Sequence, residues 1–230
     1  MTPPLAVTGA DRPLYRISRR PDAWAWPPWS SAGPDGTFGN RFDDPRGEYR
    51  VLYASSQRIG PFLETLARFR RDVAIDAEYA LIQPDERDDA FPTLPPGLIP
   101  AEWRDKRCIG TAAHEGRFVD VGHSDSVAHL RSALAAQLLH HGLEDLDAGD
   151  LRRRAPRRFT QELSRYVFET GYDEAGATLA GIRYLSRLGD EIVNWAIFEG
   201  ADPEAQTNAS IERDDPDLLA AMDKFNLAFA

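Results

Sequence analysis

The chain has 230 residues and an apolar fraction of 42%, enough for one large domain with a sizeable core. Its 37 acidic against 27 basic residues give a net charge of −10, which argues against the basic footprint of a general nucleic-acid binder. The single cysteine, Cys108, excludes an internal disulfide framework and any multi-cysteine zinc site.

Residues 1–13 read as a loosely packed arm. They lack the charged head and apolar run of a signal peptide, and no segment approaches the length of a membrane span, so the expected setting is cytoplasmic. "LYRIS" (14–18) reads as a short strand. The Pro-, Gly- and Trp-rich stretch 21–39 reads as a long loop whose Trp24, Trp26 and Trp29 pack onto the core or cover a cleft. "DPRG" (44–47) signals a turn, and "YRVLYAS" (49–55) alternates as a strand does. From Pro61 to Val73 the period turns helical, with Phe62, Leu66, Phe69 and Val73 on one face. Glu64 lies about 200° round the helix from Phe62, free to face something other than the core.

A short strand is expected at "YALI" (79–82), then a Pro-rich loop over 92–103. Residues 107–122 read as a hairpin with Gly116 in its turn. "SDSVAHLRSALAAQLLHHG" (124–142) reads as a helix capped by Ser124 or Asp125 and stopped by Gly142. "PRRFTQELSRYVFETG" (156–171) reads as a second, with Phe159, Leu163, Tyr166 and Val167 inward. "GIRYLS" (181–186) and "EIVNWAIFE" (191–199) read as closing strands. Residues 201–230 carry seven carboxylates against Arg213 and Lys224, and their last part has the pattern of a short docking helix. Strands and helices do not alternate regularly, which points to an α+β fold rather than a doubly wound sheet.

The sequence lacks the glycine-rich dinucleotide and P-loop motifs, HExxH and GxSxG. Its five histidines form no convincing metal set. The basic residues are almost all arginine, which suits bidentate phosphate recognition. The cluster "RRRAPRR" (152–158) sits where a helix macrodipole disfavours cations; a solvated helix start is its ordinary explanation.

Five segments in order, "LYRIS", "GNRFDDP", "VLYAS", "FLETL" and "GIRYLSR", resemble the RES-domain family, closely over residues 14–70 and more loosely over 150–199. The family is named for an Arg, a Glu and a Ser. It comprises bacterial toxins that destroy NAD and usually pair with a Xre-type antitoxin. The resemblance implies an ADP-ribosyltransferase-like α+β fold: a split, curved β-sheet core with flanking helices and an NAD cleft. It implies a domain over 1–200, with 201–230 as an acidic tail that folds over the cleft or docks a partner.

Residue by residue, Arg16 and Arg41 match the two arginines near the start of the family pattern, and either is the arginine of the name. Tyr53 matches its strand tyrosine, Glu64 its Glu and Ser186 its Ser. The implied roles are catalytic for Arg41, Glu64 and Ser186 and substrate-binding for Arg16 and Tyr53. The implied substrate is NAD, with water or inorganic phosphate as acceptor, no metal, an antitoxin partner and a homodimer within the complex. Each residue also has an ordinary role. Tyr53 suits a core aromatic, and Glu64 suits a helix start. Arg41 suits pairing with Asp43 or Asp44, Ser186 suits a strand end, and Arg183 and Arg187 suit the solvated surface. Together, in this order and spacing, they favour the family reading over an ADP-ribosyltransferase acting on a macromolecule and over a non-catalytic nucleotide-binding module.

Overall fold

The computed structural model describes residues 2–81, 97–152 and 156–230. The strands are β1 (Val7–Gly9), β2 (Leu14–Arg19), β3 (Val51–Ser55), β4 (Gly97–Ile99), β5 (Arg107–Ala113), β6 (Arg117–Asp120), β7 (Leu179–Ser186), β8 (Gly189–Phe198), β9 (Glu204–Ser210) and β10 (Leu227–Phe229). The helices are α1 (Ile59–Leu66), α2 (Val73–Ala80), α3 (Glu102–Asp105), α4 (Ser124–Ala133), α5 (Ala135–His140), α6 (Ala148–Arg152), α7 (Arg157–Thr170) and α8 (Pro216–Phe225). The fold is α+β, as its irregular order of elements predicts. Eight strands form one mixed sheet in the order β1-β6-β7-β8-β3-β2-β5-β9, and β10 and β4 form a small parallel pair.

The large sheet is nearly split at its centre. β2 meets β3 only where Tyr15 lies opposite Ser55, whereas β2 pairs with β5 along its whole length and β3 pairs with β8 along its own. Side chains alternate across a strand, so the faces of β3 and β8 can be read from burial. Val51, Ala196 and Phe198 pack with Leu130, Leu163 and Val167 under α4 and α7. On the opposite face Leu52, Ala54, Trp195 and Ile197 pack with Trp24 and Phe118. A third cluster joins Phe62, Leu63 and Leu66 of α1 to Trp103, Leu218 and Met222.

Several elements differ from the sequence expectation. α1 stops at Leu66, passes into a 3-10 turn over Ala67–Phe69 and breaks at Arg70, so Val73 starts another helix and is exposed. The residues Tyr79 and Ala80 of the expected "YALI" strand close α2, and Ile82 lies outside the described residues. The expected Pro-rich loop contains β4 and α3, with its first residues (92–96) outside the described ones. β5 and β6 are not a hairpin, since β5 lies between β2 and β9 while β6 lies between β1 and β7. The link is redirected by His114, whose buried ring accepts from the Gly116 amide through Nδ1 (2.9 Å) and meets the Ala201 carbonyl at Nε2 (3.0 Å). A Cβ on Gly116 would collide with that ring and with Ala180. His123, rather than Ser124 or Asp125, caps α4 by accepting from the Asp125 amide. The expected single helix over 124–142 breaks at Leu134, while Gly142 and Gly171 take the positive φ that ends a helix.

The acidic segment 201–230 supplies β9 and then α8, whose Leu218, Ala221 and Met222 pack in the α1 cluster. Asp215 caps α8 and pairs with Arg58 at 2.6 Å. Trp24 is buried in the core, and Trp26 and Trp29 flank the Arg50 guanidinium.

Candidate active site

Polar residues interrupt the apolar face of the sheet where it splits. Ser55 of β3, Asn194 of β8 and Tyr184 of β7 lie directly opposite one another across three strands. A row of this kind brings side chains within reach of each other. Ser55 Oγ donates to Asn194 Oδ1, and both residues are buried. Asn194 Nδ2 in turn donates to Glu64 Oε1 at 2.8 Å.

Glu64 reaches this row because α1 runs close to β3. A Cβ at Gly60 would sit 2.6 Å from both the Cβ and Oγ of Ser55, so only glycine allows that approach. Glu64 follows Gly60 by four residues and therefore lies on the same helix face. Ser186, at the end of β7, completes the support. Its Oγ donates to Glu64 Oε1 at 2.7 Å and accepts from the Leu188 amide at 3.0 Å. Two donors thus fix Oε1, while Oε2 has no partner among the described residues.

The second wall is the segment 39–44, held from two sides. The Tyr53 hydroxyl donates to Asp43 Oδ1 (2.8 Å) and accepts from the Phe42 amide (3.0 Å). Burial raises the Asp43 carboxyl above its usual value and the Tyr53 hydroxyl well above its own. From α7, Thr160 donates to the Arg41 carbonyl, Gln161 to that of Asn40 and Ser164 to that of Phe42, at 2.7, 3.1 and 2.6 Å. Arg41 NH1 and NH2 donate to the carbonyls of Leu151 and Arg152 at the end of α6, at 2.7 and 3.1 Å. Helix C-terminal carbonyls favour a cation there. Arg41 therefore does not pair with Asp43 or Asp44, and burial lowers its pKa.

Arg16 spans the split from the β2 side. Its Nε donates to the Ala23 carbonyl (2.7 Å) and its NH1 to the Tyr53 carbonyl (2.8 Å). Burial lowers its pKa to about 10, so it stays charged at neutral pH.

These walls enclose a cavity of about 390 Å³, lined by Arg16, Arg41, Tyr53 and Glu64 together with Asn194, Tyr184, Arg157 and Arg187. Ser186 stands behind Glu64. The five residues singled out in the sequence thus converge. Tyr184, Asn194, Ser55 and the α7 donors were not singled out, although Asn194 breaks an apolar stripe of β8 (Ile192, Ala196, Phe198), a signal readable in sequence. Arg187 is exposed, as its ordinary reading expects, but it also lines the cavity and has no side-chain partner among the described residues. Arg183 keeps the structural role, paired with Asp120 at 2.7 Å. Of the "RRRAPRR" cluster, Arg157 lines the cavity and donates to the Gly39 carbonyl, Arg152 pairs with Asp190, and 153–155 lie outside the described residues.

Chemically, four guanidinium groups and one carboxylate face one cavity of a size usual for small-molecule sites. Arginines bind phosphate through paired charge-assisted hydrogen bonds. A fixed carboxylate can bind a sugar hydroxyl and stabilise a developing cation.

A model of the RES domain matches residues 13–220 of the chain. Among solved structures, the crystal structure of the M. tuberculosis MbcT–MbcA toxin–antitoxin complex aligns with 90% of this chain and 87% of that one, at 10% identity and a TM-score of 0.49. No curated protein matches.

Proposed function

The chain belongs to the RES-domain family, and from that premise we propose that it is a toxin that cleaves the nicotinamide–ribose bond of NAD. The observation that carries the reading is the convergence of four arginines and one oriented carboxylate in a single cleft of an otherwise acidic protein. Arg187, Arg157, Arg41 and Arg16 take the pyrophosphate, and the rings of Tyr53 and Tyr184 wall the nicotinamide riboside. A cationic ring is favoured over such a π face.

The bond electrons leave with nicotinamide, whose ring becomes neutral, so no general acid is needed. The ribose acquires oxocarbenium character, as in glycoside hydrolysis. Glu64, fixed through Oε1, binds a ribose hydroxyl through Oε2 and stabilises the positive charge at the anomeric carbon. A preorganised group of this kind is worth about 3–4 kcal/mol of barrier. The oxygen of water, which releases one proton to solvent, or of inorganic phosphate then bonds to that carbon, giving ADP-ribose or its 1-phosphate. A Xre-type antitoxin that occludes the cleft is the expected partner, within a complex containing two copies of the chain.

The test is NAD consumption by the purified chain, with and without inorganic phosphate, beside Glu64→Gln. Loss of NAD that disappears in the variant supports the reading, and the product mass identifies the acceptor. ADP-ribose attached to a macromolecule assigns a transferase instead. NAD bound but left intact assigns a binding module.

A further inference from the structure

A second basic concavity lies at the far end of β2. Arg16 and Ile17 of that strand line the active-site cavity, whereas Arg19 and Arg20 line a separate one of about 540 Å³, shared with Arg68, Lys106 and Arg107. The two cavities have no lining residue in common. Two residues along the strand, from Ile17 to Arg19, separate them by about 7 Å.

Among the described residues the charge in this concavity is not balanced. Lys106 pairs with Glu102 at 2.6 Å, which neutralises one cation. Arg19, Arg20, Arg68 and Arg107 have no carboxylate partner among the described residues. Arg20 is held by the Arg107 carbonyl (3.1 Å) and Ser210 Oγ (2.8 Å), and Arg107 by the Trp103 carbonyl (2.9 Å). Arg107 lies 5.1 Å over the Trp103 ring and Arg68 lies 5.0 Å over that of Phe69. Burial lowers the pKa of Arg107, and the positive charges of Arg68 and Arg19 lower it further. Four like charges held together in a protein of net charge −10 call for an anion.

Trp103 lines the same concavity and is 2% exposed, so its indole reports on what enters there.

We propose that this concavity binds the diphosphate or triphosphate group of a small molecule, at a site separate from the active-site cleft. The cations converge on one hollow rather than along a strip, which fits a compact, multiply charged group better than the spaced carboxylates of an acidic peptide. Guanidinium forks match phosphate oxygens two at a time.

The test follows the Trp103 indole N–H resonance, one of five such signals, by nitrogen–proton correlation spectroscopy during titration of the full chain with inorganic pyrophosphate. Trp103→Phe assigns the signal. The expected result is a saturable shift of that signal in the wild type and equally in Arg187→Ala, which alters only the active-site cleft. In the double variant Arg19→Ala, Arg68→Ala, which removes two exposed side chains, the midpoint should rise at least about tenfold, as expected for loss of charge-assisted contacts. A signal that does not move, or moves identically in the double variant, overturns the proposal. So does a signal that responds to a polyglutamate peptide but not to pyrophosphate.

Discussion

Ser186 and Glu64 allow the sharpest test of the site, because the structure gives Ser186 no route to the cavity except through the carboxylate. Its Oγ is buried, donates to Glu64 Oε1 at 2.7 Å and accepts from the Leu188 amide. A hydrogen bond to a charged group contributes about 1.5–3 kcal/mol. If the bond is needed to hold Glu64 in its reactive position, Ser186→Ala should lower kcat/KM for NAD by about 10- to 150-fold, mostly in kcat. Glu64→Gln removes the charge itself and should cost about 100- to 1,000-fold. The decisive measurement is the double variant. With Glu64 already replaced, adding Ser186→Ala should change kcat/KM by no more than about twofold, the scatter of independent sites. NAD loss and product mass would be followed at 25 °C, with thermal melts confirming that each variant is folded. Equal losses from Ser186→Ala in both backgrounds would refute the reasoning and place Ser186 against the substrate.

Three further outcomes are expected. Arg187→Ala should raise KM for NAD with little change in kcat, because Arg187 lines the cavity with no side-chain partner among the described residues, whereas Arg183→Ala, which breaks the pair with Asp120, should leave both unchanged. Tyr53→Phe removes the donor to buried Asp43 and the acceptor for the Phe42 amide, so stability should fall by about 1–3 kcal/mol. A melting experiment should register this as roughly 2–4 °C for each kcal/mol in a chain of this size. Asp215→Asn keeps a cap acceptor for α8 but removes the charge paired with Arg58, costing about 1 kcal/mol at neutral pH. Burial acts upward on the Asp215 carboxyl, but Arg58 and the α8 amides hold it below its usual value overall. A depressed folded pKa means that this stability is complete at neutral pH and is lost as pH falls from about 4 through the folded value. Melts at pH 6 and pH 3 should therefore show the gap between wild type and variant closing at the acid end.

Local signals were the readable part of this sequence. The strands at Leu14, Val51, Leu179 and Gly189 and the helix at Arg157 carry their periods and stop signals in their own residues. Pairing was not readable. The segments around Cys108 and Phe118 have hairpin spacing, yet the His114 and Gly116 contacts send them to opposite parts of the sheet. Nothing within 107–122 encodes Ala201 as the partner of His114. The same limit applies to the site. Arg41, Tyr53 and Glu64 stood out through the family pattern, but the donors that hold their surroundings lie elsewhere in the chain. Thr160, Gln161 and Ser164 occur in a helix whose apolar stripe is plain, and their polar face looks like ordinary solvent surface until the 39–44 segment is laid against it.

The split in the sheet explains why Arg16 is a poorer candidate for pure substrate binding than Arg187. Between β2 and β3 only one residue pair is in register, so the backbone groups lining the gap need other partners. Arg16 supplies them, donating to the Tyr53 carbonyl on β3 and to the Ala23 carbonyl beyond β2. Two of its five N–H groups are thus committed to closing the gap, and the rest face a cavity already positive from Arg41, Arg157 and Arg187. Arg41 is committed in the same way, to the end of α6. Both arginines hold the cleft open at a fixed width while adding to its positive field, and neither can swing to follow a phosphate. Arg187 has no such tie among the described residues, so the cation free to close on the substrate is the one whose sequence context looked least distinctive.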